Sequence, residues 1–542
     1  MSNFVLEKNP SQLKMLPPDR EKDNDSCIKC CDICRKTIYN QKEFIKDTKK
    51  HMCVPSNRMR PYYVLTGVAL VFLFSIFTFI IMWYTDVFNT TLVATRVLSN
   101  ESQAFEWWTR PPVKPVIKVH IFNYTNVDRW KARMDEKLVV EDVGPYVYQE
   151  TLERINPRFS SDGTVTYQER RKYHFVPEKS TGRQFDQLHV PNLPFLIALS
   201  MSKGSYYVMR VALDAVLRSN NAGPFKVLPA HKFLWGYEDK LVDMAKPFLS
   251  FKEPLPFDKF GVLANRNGTL PDVITIHTGE RGMHQIGVIS KYNGESKMAH
   301  WGTEECNRID GTDGSAFPPS MVDKKKTLYI YNSIMCRRFP LVFDEEVNVM
   351  KDIPALRYRA PENVFAHPDS NPNNQCYCHM DSGNCPPTGI FNATPCAYGA
   401  PIFASFPHFY MGDPDLLEPF EGLNPEEEKH STFIDLHPRL GFPLAGASRF
   451  QLNIQVQKSS GISGIERFKD NMYLPVIWIE FTVDEDDLSQ EIRDMIYHSS
   501  FSADAAQAGL RYGSLLACLA SLTALVALLM KRKRAFCGQE GA

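Results

Sequence analysis

Charged residues are absent from two long stretches of this chain, Val64 to Trp83 (VLTGVALVFLFSIFTFIIMW) and Tyr512 to Met530 (YGSLLACLASLTALVALLM), and neither keeps a polar face. Each comes close to the ~20 residues a helix needs to cross ~30 Å of hydrocarbon with its backbone bonded internally. Transmembrane helices are therefore predicted over 62–84 and 512–530. Between them the pattern changes to period two. In PVIKVHIFN, Ile117, Val119 and Ile121 alternate with Lys118 and His120. In RFQLNIQVQK, Phe450, Leu452, Ile454 and Val456 face one way and Gln451, Asn453, Gln455 and Gln457 the other. In VIWIEFTV, Ile477, Ile479, Phe481 and Val483 share a face. Such alternation predicts antiparallel strands with one dry face and one wet or polar-lined face. One stretch departs from it. Residues 193–245 carry apolar side chains at three- and four-residue spacing, with Tyr207, Val211, Ala215 and Val216 on one helical face, so a short helical cluster is expected inside a β domain. A further helical segment, LSQEIRDMIYHSSFSADAAQAGL, leads into the second span.

Basic residues set the sidedness. Lys46, Lys49, Lys50, Arg58 and Arg60 precede the first span and Lys531 to Arg534 follow the second, which places both termini in the cytoplasm and residues 85–511 outside. A cleaved signal peptide would lie at the extreme N-terminus, and a glycolipid-anchor signal would end in its apolar tail; neither description fits. Residues 1–61 and 531–542 are the two cytoplasmic tails. The second span repeats small residues at Gly509, Gly513, Ala517 and Ser521, a spacing that suits packing against the first span or a second copy as a homo-oligomer.

Composition sharpens this frame. The 12% aromatic content and 37 prolines suit a chain rich in strands and loops. A formal net charge of zero and the lack of a basic stripe interleaved with aromatics exclude nucleic acid as a partner. Six of the 13 cysteines, Cys306, Cys336, Cys376, Cys378, Cys385 and Cys396, fall in the external region 306–396 and read as disulfides of open pairing. A zinc site built on CYCH is the weaker reading outside the cell. Four more, Cys27, Cys30, Cys31 and Cys34, lie in the first tail, where zinc, S-acylation and free thiols all stay open; the missing spacer between the two pairs counts against zinc. Cys53 and Cys537, nearer the spans, are the better candidates for acylation. No metal or cofactor is expected. Asn100, Asn123, Asn267 and Asn392 each begin an external N-x-S/T acceptor sequence; Asn89 lies too near the membrane and Asn24 on the wrong side.

Enzymatic signatures are missing. There is no H-E-x-x-H, G-x-S-x-G, G-x-x-x-x-G-K-[ST] or G-x-G-x-x-G. His408 in PHFY and His430 in EKHST read as hydrogen-bonded structural groups, and Asp413 and Asp415 as turn residues. Catalysis has no positive support.

Several segments are more specific. WTRPPV (Trp108 to Val113), IFNYTN (Ile121 to Asn126), GPYVYQE (Gly144 to Glu150), FLWGY (Phe233 to Tyr237), CNRIDGTDGSAFPP (Cys306 to Pro319) and MCRRFPLVF (Met335 to Phe343) precede two long runs, Asn374 to Tyr410 and Gly422 to Leu444. Together they resemble the class B scavenger receptor family over most of the external region. The resemblance implies a membrane-anchored α+β architecture: two transmembrane helices flanking a large antiparallel β-barrel-like ectodomain with an apical helical bundle. It implies the pairings Cys306–Cys376, Cys336–Cys396 and Cys378–Cys385. It also implies a cell-surface receptor that takes fatty acids, sterols, carotenoids or lipoprotein lipids and passes them through a dry tunnel to the membrane, without covalent chemistry. The alternatives are a clearance or adhesion receptor for particles or apoptotic cells, and a sensory lipid or pheromone co-receptor. Two features depart from the family pattern: the first tail is long, and the helical tip is only modestly basic. Lys203, Arg210 and Arg218 are the ligand-binding candidates there, with Lys226 and Lys232 nearby and Asp214 among them. Neither tail carries an acidic dileucine or tyrosine sorting signal, so the plasma membrane is favoured over the lysosome.

Overall fold

The computed structural model describes residues 56–249, 259–350, 352–378, 384–483, 488 and 490–537. Cys27, Cys30, Cys31, Cys34, Cys53 and Asn24 lie outside the described residues. The chain divides into two units, residues 1–83 with 509–542, and residues 84–508.

The first unit holds two helices long and apolar enough to cross a membrane. Helix α1 spans Ser56–Tyr84, and the terminal helix spans Ala503–Cys537. Leu70, Leu73, Phe74 and Phe77 on one helix and Leu516, Leu519 and Val526 on the other are exposed, as suits side chains solvated by acyl chains. Polar contacts clamp the pair at both ends. Trp83 Nε1 donates to Arg511 O at 3.3 Å, Arg511 Nε donates to Met82 O at 2.9 Å, and Arg532 Nη2 donates to the Tyr62 hydroxyl at 3.2 Å. Between the clamps Gly67 and Val71 face Ala517 and Ser521 across an apolar cleft of about 440 Å³. Gly509 and Gly513 have open space where a side chain would stand.

The second unit is built on one 14-stranded sheet. The strands of this unit are β1 (Val116–Tyr124), β2 (Leu138–Ser160), β3 (Thr164–Phe175), β4 (Gln187–Pro191) and β5 (Phe225–Pro229), then β6 (Gly268–His277), β7 (Ile289–Tyr292), β8 (Leu328–Asn332), β9 (Arg337–Val349) and β10 (Ile353–Arg359), and finally β11 (Phe391–Asn392), β12 (Ile402–Ser405), β13 (Phe420–Glu421), β14 (Phe433–Leu436), β15 (Pro443–Val456) and β16 (Met472–Thr482), with β4 and β5 forming a separate antiparallel pair. The spatial order is β7-β6-β3-β2-β1-β16-β15-β14-β10-β9-β8. Every pairing on this path is antiparallel. The two outer strands are brought nearly together by one short segment: Ile289 N–H donates to Gly311 O at 2.9 Å, and Tyr331 N–H donates to Thr312 O at 2.9 Å. Gly311 is required here because a Cβ would sit 2.9 Å from both Tyr329 O and Tyr331 N. The sheet is thus an almost closed barrel.

The alternation read in β15 is present, but both of its faces are buried: Ile454 and Val456 join the main apolar core, while Gln451 and Asn453 are buried beside β12, opposite Ser405 and Phe403. Of the two settings expected for its polar face, wet or polar-lined, the structure has the second. The helical interruption is inserted between β4 and β5 as α2 (Leu193–Ser202) and α3 (Tyr207–Ser219), followed by α4 (Ala230–Trp235) and α5 (Lys240–Leu249). Helix α2 is apolar all round and buries Leu193, Phe195, Leu196 and Leu199. Helix α3 is turned the other way. Its buried residues are Asp214 and Leu217, and the face carrying Tyr207, Val211 and Val216 is exposed. Asp214 explains the inversion, since its carboxylate accepts from Ser463 N–H at 2.8 Å and Ser463 Oγ at 2.7 Å.

Candidate functional site: a closed polar interior and an exposed helical face

The sheet register assembles a cluster that the linear motifs did not reveal. His120 of β1 lies opposite Trp478 of β16, and the two rings stack with centroids 3.9 Å apart. On the neighbouring strand β2, Asp142 accepts from His120 Nδ1 at 2.9 Å, from His408 Nε2 at 3.0 Å and from Trp478 Nε1 at 3.0 Å. His408 sits at φ +54°, where its Nδ1 accepts Asn424 N–H at 3.0 Å and its own N–H donates to Gln451 Oε1 at 2.7 Å. Its proton is therefore on Nε2, and a neutral ring satisfies both contacts. His430 stacks on His408 at 4.5 Å and accepts Glu426 N–H at 2.8 Å. The polar chain continues inward as Gln451 Nε2 donates to Asn453 Oδ1 at 2.7 Å and Asn453 Nδ2 to Ser405 Oγ at 2.9 Å.

Electrostatics follow from these contacts. Burial pushes the Asp142 carboxyl up, but the donors from His120, His408 and Trp478 outweigh it and hold the group well below the usual carboxylate range. Burial, with His408 beside it, pushes His430 down to about 4. His437 is pushed down to about 4 by burial and by Arg439; its Nδ1 accepts Leu440 N–H at 3.2 Å and its Nε2 meets Ser500 Oγ at 3.0 Å. His408 and His430 are buried, hydrogen-bonded groups, as read from the sequence. Both nitrogens of His408 are engaged in hydrogen bonds within the cluster.

The cysteines of region 306–396 pair as Cys306–Cys376, Cys336–Cys396 and Cys378–Cys385, with Cα separations of 6.4, 6.0 and 4.4 Å. These bonds consume the thiolates a CYCH zinc site would need, and His379 lies outside the described residues. His300 lies near Cys336 and Cys396, whose sulfurs are likewise spent on each other.

The sequon asparagines differ in setting. Asn100 and Asn267 are exposed. Asn123 is half-buried, its Oδ1 accepting His189 N–H at 2.9 Å and its Nδ2 donating to Glu141 at 3.2 Å. Asn392 is 4% exposed.

The structure separates the three candidate cations of the helical segment. Arg210 is spent on the fold: its Nε donates to Ser460 O at 3.0 Å and its Nη1 to Ser205 O at 3.1 Å. Arg218 pairs with Asp214 at 2.8 Å. Lys203 is exposed and makes no ion pair among the described residues. Apolar side chains dominate the surface beside them. Tyr206 is 87% exposed, Val208 77% and Met209 63%, with Met201 close by in sequence on α2. Four consecutive large apolar residues left in solvent are unusual on a folded domain and mark an interaction surface. The sequence carried this signal as YYVM, but its three- and four-residue spacing suggested packing instead.

The CD36 family model matches residues 65–529. Scavenger receptor class B member 1 of Mus musculus is 32% identical over 395 residues, covering 72% of this chain and 75% of the relative. Lysosome membrane protein 2 of Rattus norvegicus is 32% identical over 397 residues, covering 73% and 80%. The human form of the same lysosomal protein is 31% identical over 403 residues, covering 74% and 81%. The chain belongs to the CD36 family. The class B scavenger receptor resemblance is thereby borne out, and so is the architecture it implied, of two terminal membrane helices around a large antiparallel ectodomain. Within this CD36-family chain, the Asp142 cluster is a closed structural unit and the outward face of α3 is the accessible one.

Proposed function

We propose that this chain is a plasma-membrane scavenger-type receptor without covalent chemistry, which captures fatty acids, sterols, carotenoids or lipoprotein lipids at α3 and passes them through an ectodomain passage to the bilayer. The observation that carries the reading is the run Tyr206 to Met209, held in solvent while Arg210 and Arg218 are consumed within the fold. Capture at such a surface is driven by apolar contact, at about 25 cal/mol per Å² removed from water. It should be nearly indifferent to salt, because exposed charges, which salt screens, contribute little. An enclosed passage would spare a lipid roughly 0.8 kcal/mol per CH₂ of exposure to water. Relatives named for both scavenger and lysosomal roles support a membrane receptor, and the absence of recognisable sorting signals in the tails favours the cell surface. Asn100 and Asn267 are the proposed glycan carriers, and the open Gly509 and Gly513 positions the proposed contact for a second copy.

The test uses the full-length chain in nanodiscs with fluorescent fatty acid, sterol and lipid-particle probes. Binding should persist from low to high salt and fall at least ~10-fold in a Val208→Glu, Met209→Glu double variant. Unchanged binding in that variant, or no lipid bound by the native chain, sinks the proposal. A clearance or adhesion receptor would keep particle binding while releasing no lipid to the nanodisc.

A further inference from the structure

Two arginines of the sheet have anionic partners, and a third does not. Arg154 reaches Asp313 at 2.7 Å, and Arg171 reaches Glu150 at 3.1 Å and Glu169 at 2.6 Å. Arg337, at the start of β9, is only 5% exposed and makes no ion pair among the described residues. Its guanidinium lies over the Tyr377 ring at 4.2 Å and the Phe391 ring at 4.9 Å. Nε makes one long contact, 3.4 Å to Arg338 O, and Nη1 is buried with no hydrogen-bond partner. Arg337 lines a cavity of about 20 Å³ together with Asn374, Tyr377, Ile390 and Asn392, bounded by Cys378 of the disulfide Cys378–Cys385. That volume admits one atom-sized occupant. Asn392 uses its Oδ1 to accept Thr394 N–H at 3.0 Å, and its amide N–H groups make no other bond among the described residues.

We propose that Arg337 holds a single small anion of the halide class, chloride, in this cavity, with Asn392 Nδ2 as the second donor. A guanidinium does not shed its proton in a protein, so burial leaves a full positive charge to be compensated. Two ring faces supply only part of that compensation. A water molecule could accept from Nη1 but would leave the net charge in place, whereas a halide neutralises it and accepts from several donors at once. Burial lowers the proton affinity of Arg337, in keeping with a cation short of counter-charge. Because the cavity is lined by Cys378 of Cys378–Cys385 and by Tyr377, between two disulfide-bonded cysteines, an anion there would tie the disulfide region together by charge as well as by sulfur. Use of Asn392 Nδ2 as a donor also competes with use of the same atom as a glycan carrier.

The experiment compares the full-length chain in detergent in chloride and in a large organic anion, isethionate, at equal ionic strength. Chloride should raise the melting temperature by ~1–2 °C per tenfold rise in concentration above its dissociation constant. The chloride NMR linewidth should show a saturable excess that bromide displaces. Arg337→Met should abolish both effects, Arg337→Lys should weaken them, and Arg338→Gln, which removes the pairs with Glu305 and Asp310 and the contact with the Tyr329 ring, none of which lines the cavity, should leave them intact. If Arg337→Met does not fold, the native chain and Arg337→Lys decide. Identical melting in the two salts, or linewidths that never saturate, means that water alone fills the cavity and overturns the proposal.

Discussion

The interior around Asp142 and the outward face of α3 invert each other's chemistry. In the first, an ionised carboxylate lies among buried strands, and in the second, Tyr206 to Met209 stand in water. The interior is tolerable because each polar atom has a counterpart: three donors on one carboxylate, and amides linked to amides beyond it. The helical face has no such closure within the chain. Its hydrophobic surface adds nothing to folding while it stays wet. A residue's polarity therefore does not say where it serves stability; the completeness of its contacts does.

Substitutions that break each side should separate the two roles. The largest stability effect is expected from Asp142→Ala, which strands the donors of His120, His408 and Trp478 and should cost ~3–5 kcal/mol by chemical unfolding. Lipid capture per folded molecule should stay unchanged, since α3 is not involved. Acidification should come next. His430 and His437 are held at about 4 in the folded chain against an ordinary value near 6.5, so the unfolded chain takes up protons first as pH falls. Their contribution is complete above pH ~6.5 and is lost progressively toward pH ~4, by ~2–3 kcal/mol each at the limit. Melting temperature measured across that window should fall, and His430→Phe should flatten the slope. A stability that rises on acidification would contradict the assigned neutral rings. The smallest effect belongs to the helical face: Val208→Ser and Met209→Ser should change stability by no more than ~0.5 kcal/mol while reducing particle capture. If they unfold the domain instead, the contrast between the two regions fails.

Much of the fold could be read from the chain because its signals are local. Two uncharged runs gave the membrane helices, and the period of two in Phe450 to Val456 gave strand β15. His408 and His430 were recognisable as structural groups from their neighbours. What escaped was non-local. Asp142 gains its meaning only from the register that sets β1 beside both β2 and β16, and nothing in EDVGPY announces it. Periodicity found the α3 helix but not its orientation, because one buried aspartate bonded to Ser463, far along the chain, outweighed the apolar stripe. Arg210 looked like a ligand-binding cation for the same reason, since its partner Ser460 is far along the chain, whereas the Arg218–Asp214 pair, four residues apart on one helix, was open to the sequence. The cysteine pairing was open to arithmetic and came from family resemblance alone.

The two-residue seam at Gly311 and Thr312 has a consequence for crowding. Strands β7 and β8 would otherwise present unpaired amides and carbonyls as templates for a neighbouring chain. Because Ile289 of β7 and Tyr331 of β8 already donate to Gly311 and Thr312, a neighbouring chain would have to displace those bonds before it could add a strand at this edge.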